Sequence, residues 1–382
     1  MITLQNVILD NKAVDITIAD GLIVKITACG KRIAATPARQ TTDNNEVIDC
    51  TGLAAYPGLC NMHSHAPMTL FRGLGDDQPL DRWLNEYIWP AEQKLTDEQV
   101  YQGTLQACRE MLASGTTAFN DMYFRLPAMT RAVEESGITG RLGYNIFGDG
   151  DELDDPAVVD LLSHPSQHVS YSIAPHSIYT VSERGLSRSA EACLALHLPM
   201  HIHMSETQKE VNDCLVLHGC RPWEWLDRLG ILDQMGENII AAHCLHLSDS
   251  EIRLIGDHHI TCVHCPNSNL KLGSGYRFPM LELLDAGARV ALGTDGSASS
   301  NNLDMVEVMK TAALLQKGWR GDPTAVPANQ ILSIATTGAN IAEGHHANLF
   351  LTTALTVSNL VYASHGESVR LTIVNGEIAY RQ

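Results

Sequence analysis

The sequence lacks any uninterrupted apolar run of the ~20 residues that a membrane-spanning helix needs, although 45% of the chain is hydrophobic. The N-terminal stretch MITLQNVILDNK has no basic region followed by an apolar core and a small-residue cleavage site, so no secretory signal is predicted. We therefore expect a cytoplasmic protein without a membrane partner.

Basic residues are also scarce, since 26 Lys and Arg stand against 44 Asp and Glu, for a formal net charge of −18. Phosphate backbones are bound by clustered Lys and Arg, so nucleic acid is not an expected partner. The sequence has no Walker loop and no G-x-G-x-x-G motif after a predicted strand, which argues against a phosphate-binding or dinucleotide-binding site. The ten cysteines follow no framework spacing, and this favours reduced, mostly buried thiols.

The 382 residues exceed the roughly 250 that one (β/α)8 barrel needs, which leaves material for a smaller second domain. Short β-branched runs alternate with helical segments, a pattern typical of βα units around a parallel sheet. Thr96 opens a Thr-x-x-Gln capping box, which predicts a helix that ends at Gly115. Eight strand-like runs end near His63, Asp121, Asn145, Pro175, His203, His243, His264 and Asp295.

Both ends of the chain read as β-hairpins. Ile16 and Ile18 precede Asp20-Gly21, and alternating apolar residues follow; Asn375-Gly376 lies in a similar pattern near the C-terminus. We therefore predict an α/β protein with a (β/α)8 TIM barrel at residues 56–345. A small β-sandwich domain would be built from residues 1–55 and 346–382.

Metal-capable side chains end several of the predicted strands. His63 and His65 follow an apolar run, and residues two apart in an extended segment point to one side. His203 is followed three residues later by Glu206, and His243 and Asp295 each end a further run. Because functional groups gather at the carboxyl ends of barrel strands, these side chains are expected to meet.

Three imidazoles and one carboxylate suit a borderline ion such as Zn²⁺ and leave room for a water molecule. A single buried His or Asp is more often a core or capping residue than a ligand. The ordered set H-x-H, H-x-x-E, H and D is much harder to ascribe to chance. Cys262 and Cys265 form a C-x-x-C pair without a second such pair, so we interpret them as packing at a strand end.

The sequence resembles the metal-dependent amidohydrolase superfamily, and within it the 5'-methylthioadenosine/S-adenosylhomocysteine deaminases. The resemblance covers most of the chain and is carried by PGLCNMHSHAPMTLFRGLGDD, ASGTTAFNDMY, HIHMSETQKE, AAHCLHL, HCPNSNLKLGSG and GTDGSASSNNLDM. It implies hydrolysis of an amino group from a purine-type ring.

The resemblance also implies roles for individual residues. The metal ligands would be His63, His65, His203 and Asp295, with Glu206 moving protons and His243 holding the attacking water. Dinuclear relatives need a carboxylated lysine after strand four, where this chain reads Ile173 to His176 without Lys. One divalent ion is therefore expected, Zn²⁺ first, with Fe²⁺ and Mn²⁺ as alternatives.

The resemblance implies substrate contacts for Trp83, Glu92, His176 and Ser299. His176 would bond to the ring, Trp83 would line the pocket, Glu92 would grip ribose hydroxyls, and Ser299 would touch the ring or sugar. The residues alone leave alternatives open for three of them: a helix core residue for Trp83, a solvated charge for Glu92 and a helix cap for Ser299.

The chain departs from the family in the stretch from Tyr144 to Asp160, which has no Lys or Arg and carries six acidic residues. Relatives that accept S-adenosylhomocysteine are expected to have arginines there, so a neutral 5' tail is favoured unless Arg125 compensates. A surface ion pair is the simpler role for Arg125.

Two rival functions remain: another mononuclear amidohydrolase acting on guanine, a pterin or a triazine, and a non-catalytic barrel that acts as a scaffold. A homo-oligomer is also compatible with the sequence.

Overall fold

The computed structural model describes residues 1–29, 41–42 and 45–382. Its strands are β1 Ile2–Leu9, β2 Lys12–Ala19, β3 Leu22–Ala28, β4 Thr41–Thr42, β5 Asn45–Asp49, β6 Ala54–Pro57, β7 Leu59–Ser64, β8 Thr116–Tyr123, β9 Thr139–Ile146, β10 Val169–Pro175, β11 Met200–Met204, β12 Ile239–His243, β13 Thr261–His264, β14 Arg289–Leu292, β15 Leu349–Thr352, β16 Val369–Val374 and β17 Glu377–Arg381.

The helices fall mainly between the strands of the middle of the chain. The α-helices are α1 Leu80–Trp83, α2 Trp89–Glu92, α3 Asp97–Ala113, α4 Leu126–Ser136, α5 Pro156–Ser163, α6 Glu183–Leu196, α7 Gln208–His218, α8 Pro222–Arg228, α9 Ile231–Met235, α10 Asp249–Asp257, α11 Pro266–Lys271, α12 Met280–Asp285, α13 Met305–Arg320, α14 Ala328–Ala335 and α15 Val357–Ala363. Short 3₁₀ turns cover Ala66–Phe71, Asp151–Asp154, Gly236–Asn238 and Gly366–Ser368, and a π-helical turn covers Leu84–Ile88.

Strands β7 to β14 form one eight-stranded parallel sheet in sequence order. The two edge strands meet beside the site, where the Asp295 backbone N–H donates to the His63 carbonyl at 2.9 Å and the Thr294 N–H donates to Asn61 Oδ1 at 2.9 Å. The sheet is thus a nearly closed barrel with helices around it. The predicted barrel is confirmed, and all eight predicted strand ends lie within three residues of the observed ones.

The remaining nine strands form a separate sheet built from both ends of the chain. Its main order is β17-β16-β15-β6-β1-β2-β3, and β5 pairs with β1 and β4. The N-terminal segment therefore joins the C-terminal one through β6 and β15, which pair antiparallel. The domain limits at residues 55 and 345 stay a prediction, and β6 crosses the first of them.

Local sequence signals explain several of these elements. The Thr96 side chain accepts from the Gln99 N–H at 3.3 Å and the Gln99 side chain accepts from the Thr96 N–H at 2.9 Å, so the predicted capping box begins α3. The hairpin at Asp20-Gly21 is confirmed, but a bulge between Thr17 and Ile18 shifts its register. As a result Ile23 is buried, whereas Val24 is 48% exposed.

Apolar side chains form a large core between the barrel and its helices and a smaller one in the terminal sheet. Cys262 and Cys265 are fully buried, in agreement with the packing role predicted for them. Among the described residues no helix is long and apolar enough to cross a membrane.

Candidate metal and catalytic site

The candidate site lies at the carboxyl ends of the barrel strands, where the rim of such a barrel gathers side chains. His63 lies in β7 and His65 directly follows it, His203 lies in β11, His243 ends β12, and Asp295 follows β14. All five side chains are buried or nearly so. The structure therefore brings together the side chains that the sequence analysis singled out.

Three distances among the four potential ligand atoms are closely similar. Asp295 Oδ1 is 3.3 Å from His63 Nε2 and 3.2 Å from His65 Nε2, and His65 Nε2 is 3.4 Å from His203 Nε2. Ligand atoms about 2.0–2.2 Å from a tetrahedral zinc ion lie roughly 3.3–3.6 Å apart. The buried His63 Nε2 has no hydrogen-bond partner among the described residues. These three distances match those around one tetrahedrally coordinated ion, and His203 also belongs to a close group with His63 and His243.

Backbone carbonyls fix the orientation of two of these imidazoles. In the neutral rings, His65 Nδ1–H donates to the Met122 carbonyl at 2.6 Å, and His203 Nδ1–H donates to the His176 carbonyl at 2.7 Å. Each bond leaves a lone pair on Nε2, and the two lone pairs face each other. Such lone pairs repel each other unless a cation lies between them, so the hydrogen bonds prepare both rings for metal coordination.

Burial and mutual contacts set the protonation of this cluster. Burial lowers the pKa of His63 to about 4 and holds the pKa of His203 well below its usual range. Burial also acts to lower the pKa of His65, but the Asp295 carboxylate outweighs it and raises this pKa to about 9. Burial acts to raise the pKa of Asp295, yet its contacts with His63 and His65 keep it well below the usual value. A proton and a cation therefore compete for His65.

The Asp295 carboxylate is held in one orientation by its neighbours. Its Oδ2 accepts hydrogen bonds from Ser268 Oγ at 2.6 Å and Ser299 Oγ at 2.9 Å, and its Oδ1 accepts from the Gly296 N–H at 2.8 Å. The backbone φ of Asp295 is 62°, a left-handed value that costs energy for a residue with a side chain. This backbone and these bonds direct Oδ1 toward the imidazoles.

Glu206 lies just past β11 with its carboxylate beside the histidine cluster. Its Oε1 accepts from Ser274 Oγ at 3.0 Å, and its Oε2 is 3.8 Å from His243 Nε2. The buried Glu210 carboxylate accepts from the backbone N–H groups of Ser205 at 2.6 Å and Glu206 at 2.8 Å, which fixes the turn. Burial raises the pKa of Glu206 and thereby favours its taking up a proton.

His243 differs from the other histidines in the hydrogen bond that orients it. The Asn269 amide donates to His243 Nδ1 at 2.9 Å, so in the neutral ring Nε2 carries the hydrogen and points into the site. The ligand atoms of His63, His203 and His243 also lie within 4.8 Å of one another. With hydrogen on Nε2, however, His243 is a hydrogen-bond donor toward the site rather than a ligand. Its φ of 74° is again left-handed.

A cavity opens directly onto this cluster. It is lined by His65, Met68, Leu80, Trp83, Leu84, Trp89, Glu92, Met122, Tyr123, Phe124, Asn145, Phe147, His176, Tyr179, His203, Glu206, His243, Leu272, Asp295 and Ser299. All four residues predicted to contact substrate are therefore in its wall. Its aromatic and apolar surfaces suit a flat ring.

Trp83 and Glu92 reach the cavity from short helices before α3. Trp83 is 4% exposed and its indole N–H donates to the Leu74 carbonyl at 3.0 Å, so it is both a core residue and part of the wall. Glu92 is not a solvated charge, because the residue is half-buried and its Oε1 is shielded from solvent, with the Tyr123 hydroxyl as a neighbour. Burial raises its pKa. A carboxylate in this setting calls for hydrogen-bond donors from a ligand.

His176 and Ser299 have clear partners of their own. The His176 ring stacks on Phe147 with centroids 4.9 Å apart, and its Nδ1 lies 2.9 Å from Thr180 Oγ1. Burial lowers the pKa of His176 to about 3, so the ring is neutral at pH 7. The Ser299 hydroxyl bonds to Asp295 and lies 2.9 Å from the Gly296 carbonyl, which makes it a support for the Asp295 carboxylate.

The acidic stretch after β9 is not the bare negative patch that the sequence indicated. Arg188 contacts Asp151 at 2.7 Å and Asp154 at 2.6 Å, and Arg184 contacts Asp151 at 3.2 Å and Asp149 at 3.5 Å. Both arginines come from α6, which follows the next strand. The sequence stretch alone therefore overstated the local negative charge.

Several residues that shape the site were missed from the sequence. His201, in β11, is buried with its Nε2 2.9 Å from His63 Nδ1. Its spacing in H-x-H with His203 was a usable signal, because residues two apart in a strand share a side. Glu210, Asn269 and Ser274 carried no such signal, since each acts through a turn or a loop that only the fold defines.

This fold, with three imidazoles and a carboxylate directed at one point on the barrel rim, defines a metal-dependent hydrolase. Residues 54–379 match the amidohydrolase family, and the chain belongs to that family.

Its relatives include proteins named for deamination of adenine nucleosides. The 5'-deoxyadenosine deaminase of Methanothermobacter thermautotrophicus is 41% identical over 365 residues, which span 89% of this chain and 84% of that protein. The 5-methylthioadenosine/S-adenosylhomocysteine deaminase of Moorella thermoacetica is 40% identical over 358 residues, 87% of this chain and 83% of that protein. The crystal structure of an adenosine deaminase from Xanthomonas campestris with bound zinc matches 99% of this chain and 92% of that chain, at 31% identity and a TM-score of 0.85.

Proposed function

We propose that this protein is a hydrolytic deaminase that releases ammonia from the adenine ring of a 5'-modified adenosine. Methylthioadenosine, S-adenosylhomocysteine, deoxyadenosine and adenosine are the candidate substrates. The observation that carries the proposal is the four-atom donor set beside Glu206, at the base of a cavity with aromatic walls. The names of the relatives, two nucleoside deaminases and an adenosine deaminase, point to the same reaction.

His63, His65, His203 and Asp295 would hold one divalent ion, and Zn²⁺ is favoured by the imidazole-rich donor set and by the zinc in the Xanthomonas protein. When bound, such an ion lowers the pKa of a water molecule to about 7 and so supplies hydroxide at neutral pH.

Glu206 and His243 would then act on that water and on the ring. His243 donates from Nε2 to the water oxygen, because Asn269 holds the hydrogen on that nitrogen. Glu206 takes the water proton on its carboxylate and passes it to the ring nitrogen next to the amino-bearing carbon. The 3.8 Å between His243 Nε2 and Glu206 Oε2 lets one oxygen atom contact both groups. The second proton of the water would pass to the amino group, which leaves as ammonia as the carbonyl forms.

The cavity wall would orient the nucleoside. The buried Glu92 carboxylate would accept hydrogen bonds from ribose hydroxyls, which a free base cannot supply. Trp83 and the neutral His176 pack against and bond to the ring, while Ser299 acts mainly through Asp295. This use of Glu92 favours a nucleoside over the rival guanine, pterin and triazine substrates.

The decisive experiment is an ammonia-release screen of zinc-loaded protein against purine nucleosides, free bases, pterins and triazines, with metal-depleted protein as control. We expect release from adenine nucleosides only, and loss of it on metal depletion. Release from guanine or a triazine alone would favour the rival hydrolase, and no release from any compound would favour the scaffold. The cytoplasmic location, the absence of a nucleic-acid partner and the oligomeric state stay predictions.

His201 would position His63. When His63 coordinates through Nε2, its Nδ1–H donates to His201 Nε2, and this bond fixes the ring. We expect His201→Leu to weaken zinc binding about 10- to 100-fold, as the loss of such supporting partners does. Competition with a chromophoric chelator measures this change.

His201→Gln is the matched control, since its side-chain oxygen can still accept from His63. We expect it to restore most of the zinc affinity, whereas a purely packing role for His201 predicts that leucine serves better than glutamine. Thermal melting of both metal-free variants shows whether either one is merely misfolded.

A further inference from the structure

A second cavity, here called the side cavity, adjoins the cavity at the metal site. It has a volume of about 660 Å³ and shares Trp89, Glu92, Tyr123, Phe124 and Phe147 with the first. If the ring lies at Glu206 and the ribose at Glu92, the side cavity begins where the 5' substituent of the nucleoside would project. The inference below therefore rests on the proposed function.

The wall of the side cavity is mainly apolar. Leu95 and Val100 extend the surface formed by the shared aromatic residues, and of the ten lining residues only Glu92 and Arg125 carry a formal charge. An amino-acid tail brings both an ammonium and a carboxylate group. Each would need a partner of opposite charge on leaving water, because burying an unpaired ion is costly. The wall thus offers one cation and one anion for this purpose.

Each of those two charges has another partner, observed for Arg125 and proposed for Glu92. Arg125 Nη1 already contacts the carboxylate of Asp97, the first residue of α3. Glu92 is the group that would bind the ribose. Arg184 and Arg188, which come from α6, pair with the acidic stretch after β9 and line neither cavity.

We propose that the side cavity receives the 5' substituent and selects nucleosides in which it is uncharged and apolar, such as hydrogen or a methylthio group. Asp97 is the specificity-determining residue, because it neutralises the one cation that could hold a carboxylate tail. Arg125, which lies just before α4 with a left-handed φ of 59°, contacts Asp97 through its guanidinium group.

The test compares kcat/KM for 5'-deoxyadenosine, 5'-methylthioadenosine and S-adenosylhomocysteine, measured by ammonia release from the zinc-loaded protein. We expect the wild type to favour the first two over S-adenosylhomocysteine by at least about tenfold. We expect Asp97→Asn to raise the S-adenosylhomocysteine to methylthioadenosine ratio about two- to fivefold, the effect of one solvent-exposed charge pair.

Glu98→Gln is the matched control. It removes the next carboxylate of α3, which pairs with Arg131 at 2.8 Å and lines neither cavity, so the ratio should not change. Both substitutions remove an acid from the first turn of α3, so their effects on stability should match. The double variant Asp97→Asn/Arg125→Leu should return the ratio to the wild-type value.

Two results would overturn the inference while the proposed function stands: equal kcat/KM for methylthioadenosine and S-adenosylhomocysteine, or a selective loss of the latter in Arg125→Leu. Either would make Arg125 the anchor of a charged tail. Failure of the zinc-loaded protein to release ammonia from any of the three nucleosides would instead overturn the proposed function itself.

Discussion

Glu206→Gln is expected to lower kcat about 10²- to 10⁴-fold, the usual cost of losing a general acid–base group. Glutamine keeps the shape and can still accept a hydrogen bond from Ser274, but it cannot take up the proton of the attacking water. Because Glu206 belongs to none of the candidate metal-ligand groups, the zinc content of the variant should stay at one ion per chain. Steady-state ammonia release and elemental analysis of the same sample measure both quantities.

The substitution also separates proton transfer from binding. KM or the dissociation constant for the nucleoside should change far less than kcat, since the proposed ring and ribose contacts lie on other residues. Glu98→Gln controls for the loss of a carboxylate elsewhere on the protein. Activity within a fewfold of the wild type would remove Glu206 from the mechanism, whereas loss of zinc together with activity would make it a ligand.

The barrel and the placement of its candidate ligands on the rim could be predicted because their signals are local. Each barrel strand is a short β-branched run, and a (β/α)8 barrel places the end of every such run on one rim. The H-x-H pair at His63 and His65 follows from the two-residue period of a strand. The capping box at Thr96 and the turn at Asn375-Gly376 are likewise complete within a few residues.

The parts of the site that depend on distant contacts could not be predicted. Nothing in the sequence around His243 or Asp295 reports their left-handed backbones, which the surrounding barrel imposes. The bonds from Ser268 and Ser299 to Asp295 join loops whose approach only the closed barrel defines. A charge that is neutralised by a residue from a distant helix likewise could not be predicted from the sequence.

The acidic stretch after β9 illustrates the limit most clearly. Counting Asp and Glu along the sequence predicts that this stretch is uniformly negative and repels carboxylates. Arg184 and Arg188 approach it from α6, so its charge is partly compensated in space but not in sequence. The preference we propose for a neutral tail comes instead from the apolar wall of the side cavity and from the Arg125–Asp97 pair.

Asp295→Asn is expected to weaken zinc binding by more than the 10- to 100-fold loss expected for a residue that only supports a ligand. The reason is that it removes the one anionic ligand in the candidate donor set. Activity should fall in parallel. The amide keeps the size of the side chain, so the effect comes from charge. It also removes the main influence that raises the pKa of His65 to about 9. In the wild type at pH 7 zinc binding is expected to displace a proton from His65, whereas in the variant this pKa should fall and fewer protons should leave.

Calorimetric titration with zinc in buffers of different ionisation enthalpy measures the affinity and the number of protons released together. Ser299→Ala is the matched control, since it removes a hydrogen bond to Asp295 Oδ2 and leaves Oδ1 and its charge in place. We expect it to lower zinc affinity by no more than about 100-fold, with proton release unchanged. Wild-type zinc affinity in Asp295→Asn would show that the carboxylate is not a ligand, and the four-atom site would have to be redrawn around His243.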